Sequence, residues 1–139
     1  MRAGQAHDLV AVARLLEDLG HVDSAVQIFS LCLSSELPED IHTDTMMRLA
    51  LLHKHNNNYL AAIPLWEQAA SRRRVLACEE LAKYYEHHAL NLDLALKWTF
   101  EGLKVLDALD LPAAEMHWSK AELQHRIQRL QKKLSSQSG

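Results

Sequence analysis

The chain is poor in residues that break helices, with 4 glycines and 3 prolines among 139 residues. That scarcity argues against a loop-rich β-protein and fits helices joined by short turns. Cysteine is nearly missing as well. Only Cys32 and Cys78 occur, with no CxxC and no close histidine partner. A disulfide framework is therefore not expected, and reduced thiols in a cytoplasm are the simpler reading. No apolar run approaches the ~18 residues of a membrane span. The opening "MRAGQAHD" lacks the apolar stretch of a signal peptide. A positive excess is missing too: the formal net charge is −3, whereas a dedicated nucleic-acid binder is usually more basic. GxSxG, Walker A and GxGxxG are all missing, and with them the common hydrolase, nucleotide and dinucleotide signatures.

What is present is apolar residue, 48% of the chain, enough for a continuous core in one compact domain. Charge is unevenly spread. Between His117 and Lys133 stand five cations (Lys120, Arg126, Arg129, Lys132, Lys133) against Glu122 alone, which leaves about −7 on the remainder.

Three segments line up when the chain is searched for self-similarity. They are "LVAVARLLEDLGHVDSAVQIFSLCL" from Leu9, "MMRLALLHKHNNNYLAAIPLWEQAA" from Met46 and "CEELAKYYEHHALNLDLALKWTFEGL" from Cys78. Each has a small residue in a first helix (Ala13, Ala50, Ala82) and a larger one three later (Leu16, His53, Tyr85). A second small residue opens the next helix (Ala25, Ala62, Ala95) and a third closes it (Cys32, Ala69, Gly102). Bulky Phe29 and Trp66 follow the second small residue by four; the third copy has Thr99 there, flanked by Trp98 and Phe100. Antiparallel helices need small side chains where their backbones approach, with large ones filling the space beside them. Turn residues fall between the paired patterns: Gly20 and Asp23, the asparagines of "HNNNYL", and Asn91 or Asp93. The third copy carries one extra residue between Tyr85 and Ala95. Pro64 lies inside the second helix of copy two and favours a kink unless that helix starts later.

In these positions the chain resembles the tetratricopeptide repeat (TPR) family over most of residues 6–106. The resemblance implies an all-α, right-handed superhelix of about three antiparallel helix pairs. The expected repeats are about 6–38, 43–74 and 75–108 within a single domain 1–134. After Pro112, Leu123, Ile127, Leu130 and Leu134 form one helical stripe, read as a capping helix over about 113–134 with its basic face in water. "SSQSG" at 135–139 is read as a disordered tail. The chain is expected to be a monomer, or a weak homodimer if capping leaves that stripe uncovered.

A narrower resemblance rests on "IPLWEQAA", "ELAKYYEHHALNLDLALKW" and "ELQHRIQRLQKKL". These are similar to the TPR region that follows the exonuclease domain in bacterial ribonuclease-H-like (DEDD-type) proteins, over roughly 40–134. Such a nuclease gathers carboxylates from separate strands around two metals. No strand pattern and no further acidic motif precede Asp8, so no catalytic residue is carried over. The resemblance implies a helical accessory module.

Candidate sites are few. Adjacent His87 and His88 point about 100° apart on a helix, and His53 and His55 are wrongly spaced for one face, so no metal and no other cofactor is expected. Tyr85, Trp66, Cys32 and Cys78 read as core, while Tyr84 and Trp118 read as boundary or partly exposed positions. Glu86 and His87 read as outward or groove-facing. The concave groove of a TPR fold is lined by the first helix of each pair. Transferred by repeat alignment, this gives Arg14 and Asp18; Met47, Arg48, Leu51 and His55; and Glu79, Lys83 and His87, with His7, Val10 and Glu80 beside them. This mixture suits an amphipathic helix or extended peptide rather than an acidic tail. The leading expectation is a non-catalytic scaffold with a protein or peptide partner. The alternative is a nucleic-acid-assisting module, with Arg72, Arg73 and Arg74 neutralising phosphates.

Overall fold

A computed structural model describes residues 2–138. Among these the chain is all-α, with seven helices: α1 (Ala3–Asp18), α2 (Val22–Leu33), α3 (Glu39–His55), α4 (Tyr59–Ser71), α5 (Val75–His87), α6 (Leu92–Asp107) and α7 (Ala113–Ser138). The first six are three helix–turn–helix pairs. The nine small residues picked out by the repeat pattern, Ala13, Ala25, Cys32, Ala50, Ala62, Ala69, Ala82, Ala95 and Gly102, are all buried. Gly102 shows why size matters there: a Cβ on it would meet the Cβ of Cys78 at 3.2 Å and the methyls of Leu123 at 3.8 Å. Only hydrogen lets α6 sit this close to both α5 and α7.

The turns follow from their sequences. Gly20 at φ 85 and Asn57 at φ 58 take the left-handed conformation that ends α1 and α3. Behind each, the chain folds back: His21 N donates to Leu16 O at 2.8 Å, and Asn58 N to His53 O at 2.8 Å, satisfying carbonyls that the helix end leaves open. The extra residue of the third copy is absorbed in a longer turn, residues 88–91, with Leu90 at φ 53. Asn91 then caps α6, its Oδ1 accepting from Leu94 N at 3.1 Å. Asp23 lies in the first turn of α2, whose N-cap is His21.

The packing forms two compact units, divided after Ala69, where the sequence suggests one domain. Each half closes its own core. In the N-terminal unit, Val10 and Ala13 of α1, Ala25, Phe29 and Cys32 of α2, and Leu49 and Leu52 of α3 cluster, with Leu65 of α4 packed on them. Trp66, 1% exposed, is the largest fully buried side chain and meets the Tyr59 ring at 6.4 Å. In the C-terminal unit, Leu92, Ala95 and Leu130 form a cluster with Tyr85, Leu96 and Leu134 against it.

Several expectations need correction. α4 starts at Tyr59 and runs through Pro64. Pro64 and Leu60 are both exposed, so the carbonyl that loses its donor is on the solvent side. Tyr85 is half-buried, lying over its cluster with the Tyr84 ring edge-on at 5.1 Å. The helix expected to stop near 134 continues to Ser138, with Ser136 Oγ donating to Lys132 O at 3.1 Å. Gly139, the end of the expected tail, lies outside the described residues.

Candidate functional site

In the N-terminal unit, α1 and α3 present the face expected to bind. Arg14 and Arg48 come together there, lining a cavity of about 180 Å³ with His7, Val10, Ile41 and Asp44. Arg48 is held in place by Glu17 on α1, Nη1 to Oε1 at 2.9 Å, with both side chains partly exposed. A pair in that setting contributes up to about 1 kcal/mol and mainly fixes the guanidinium. Met47 is half-buried, while Asp18, Leu51 and His55 are exposed and lie outside the cavity lining. Leu51 at 40% exposure offers apolar area next to these charges.

In the C-terminal unit, α7 lies along the face of α5 that carries the remaining candidates. Glu79 and Lys83 line a cavity of about 360 Å³ whose opposite wall is Trp118, Glu122, His125 and Arg126 of α7. Burial raises the Glu79 carboxyl above its ordinary value, Lys83 opposes this, and Glu122 adds to it. Lys83 Nζ is 3.3 Å from Glu80 Oε1. His87 is exposed, its Nε2 3.6 Å from Glu86 Oε1.

Glu86 itself overturns its sequence reading. It is 2% exposed and faces the interior between α5 and α7. Arg126 Nη1 donates to Oε1 at 2.9 Å and Lys133 Nζ to Oε2 at 2.6 Å. Arg129 donates from Nη2 to Oε1 at 2.8 Å and from Nε to Oε2 at 3.1 Å. These cations sit at steps of three and four on α7, one helical face. The basic face of α7 is thus partly turned inward to a buried counter-charge. Burial alone would raise the Glu86 carboxyl, but hydrogen bonds and charge from Arg129 and Lys133 outweigh it and hold it at about 2. The same bond raises Arg129. The apolar stripe of α7 is also consumed: Leu123, Ile127 and Leu130 are buried and Leu134 packs on the C-terminal cluster.

Arg72, Arg73 and Arg74 lie at the turn from α4 to α5, with Arg73 exposed at φ 65. Arg73 and Arg74 border an open cavity of about 610 Å³ that also takes in Leu76, Leu109 and Trp118, the last 65% exposed. Both thiols are buried. Burial, then Glu101 and Glu79, push Cys78 up to about 11, and burial raises Cys32, whose Sγ donates to Ala6 O at 3.6 Å. Such thiols stay protonated and inert at neutral pH. Among the described residues no three His, Cys, Asp or Glu side chains gather to hold a metal, and no helix is long and apolar enough to cross a membrane.

No protein-family model matches the chain. Among curated proteins it is similar to YprB of Bacillus subtilis (strain 168), itself called uncharacterized, with 37% identity over 92 residues. That match takes in 63% of this chain and 21% of YprB, so the chain spans about a fifth of that relative's length. Among solved structures it is similar to PcrH from Pseudomonas aeruginosa at a TM-score of 0.72, with 13% identity over 94% of this chain and 95% of that one. At that identity the likeness speaks to the fold, and it places this chain's helix pairs in the TPR-like class.

Proposed function

We propose that the chain is a non-catalytic, protein-binding TPR-like module, working without a cofactor in a cytoplasmic setting. The observation that carries this reading is the α1/α3 face, where Arg14 and Arg48 border one cavity and Leu51 stands exposed nearby. Cations beside apolar area, with Arg48 held by Glu17, suit an amphipathic helix or an extended peptide. In the C-terminal unit Glu79, Lys83 and His87 are proposed as a separate surface of that unit, on the face of α5 that α7 borders. Similarity to one part of a longer protein supports an accessory role.

Photo-crosslinking tests this. A benzophenone amino acid at Leu51 is expected to capture a partner protein from the source cytosol, whereas the same probe at exposed Ser30 on α2 is not. Equal capture at both positions would remove the α1/α3 face from the account. Residues Arg72, Arg73 and Arg74 keep the nucleic-acid reading as the second choice, since Arg73 is exposed at a turn bordering an open cavity.

A further inference from the structure

Leu90 occupies a turn position that the other two pairs fill differently. Five residues before Ala25 stands Gly20, and five before Ala62 stands Asn57; five before Ala95 stands Leu90. All three are left-handed, at φ 85, 58 and 53. Glycine takes this geometry freely and asparagine at small cost, whereas the Cβ of leucine is crowded there. Nor does burial compensate, since Leu90 is 74% exposed. A strained backbone holding an apolar side chain in water points to a contact made with something else.

The surroundings say what. Leu90 and Leu92 border a cavity of about 560 Å³, and the C-terminal part of α7 forms its other wall with Arg129, Lys132 and Lys133. The heads of Arg129 and Lys133 reach Glu86 at the cavity wall while these side chains stay partly exposed, and Lys132 is exposed beside them. Glu86 supplies one negative charge to Arg126, Arg129 and Lys133, and exposed Lys132 adds a further positive one, so the mouth is cationic in excess.

We propose that this cavity docks a short acidic segment of a partner protein, with an apolar side chain between Leu90 and Leu92 and carboxylates on Lys132, Lys133 and Arg129. Charge complementarity sets the sign of the segment, and the paired leucines set its apolar residue. A nucleic-acid backbone would meet the same cations but leave Leu90 uncovered. The inference rests on the reading of the chain as a protein-binding module, but uses a surface distinct from α1/α3.

The test is fluorescence anisotropy at low salt with three labelled probes: a peptide of two leucines among four aspartates, its lysine counterpart, and a thymidine oligonucleotide. The acidic peptide is expected to bind and the lysine peptide not. Leu90→Gly, which relieves the strained turn and keeps the fold, and Lys132→Glu, outside the Glu86 network, are each expected to weaken binding about ten-fold or more. Lys104→Glu, exposed on α6 and outside this cavity's lining, is expected to leave it unchanged, and crosslinking at Leu51 reads the α1/α3 face independently, so the two failures are separable. No binding of the acidic peptide, or equal binding by wild type, Leu90→Gly and Lys132→Glu, overturns the proposal. Binding of the oligonucleotide without the acidic peptide gives the surface to nucleic acid instead and overturns it equally.

Discussion

At Glu86 four hydrogen bonds from three cations offset the cost of burying a carboxylate. The four donors saturate its lone pairs, so the group is fully satisfied in a site that water does not reach. Held at about 2 against an ordinary 4.5, it contributes on the order of 3 kcal/mol of pH-dependent stability. Because the folded value lies below the unfolded one, that stability is complete above about 4.5 and is lost as pH falls through about 2. Glu86→Gln is therefore expected to cost about 2–3 kcal/mol at pH 7, towards the low end for a broken buried pair because Arg129 and Lys133 can reach water. Urea unfolding at pH 7, 4 and 2.5 should show the gap between the two proteins closing as pH falls. A gap independent of pH would mean that Glu86 is not the ionised centre described here. The sequence hides this role because Arg126, Arg129 and Lys133 lie 40 or more residues away. One signal is present: three cations on a single face of α7, with Glu122 the lone acid near them, call for a counter-charge elsewhere.

At the scale of elements, size alternation made the helix pairs legible. The nine small positions are buried because they lie where helices approach, and that requirement appears in sequence as fixed spacing. Turn chemistry was legible where glycine and asparagine mark it, at Gly20 and Asn57, and illegible at Leu90, where the same geometry is held by a residue that does not favour it. The end of α7 is not legible from polarity, since serine and glutamine mark solvent exposure more strongly than they mark loop. Trp66 carries the main energetic prediction for α4. Truncation to alanine is expected to cost about 3–5 kcal/mol, because a fully buried indole leaves a cavity that Ala62 and Ala69 on the same helix cannot fill. Denaturant unfolding would read this directly, and a near-neutral result would remove Trp66 from the core.

For the molecule as a whole, the proposed function rests on what the described residues present. It has buried, protonated thiols, a buried carboxylate already saturated with partners, and exposed faces where charge and apolar area lie together. That pattern is what the proposed protein-binding reading rests on. The TPR-like class is readable from the repeat, whereas the proposed binding face is readable only as positions. Arg14 and Arg48 border one cavity in the N-terminal unit, and in the C-terminal unit α7 lies along α5, which no local pattern announces. The most direct measurement is calorimetric: the affinity of the captured, purified partner for wild type, Arg14→Glu and Leu51→Asp, with helix content checked by circular dichroism. The account predicts at least a ten-fold loss of affinity in each variant with the fold unchanged. Unaltered affinity in both would contradict it.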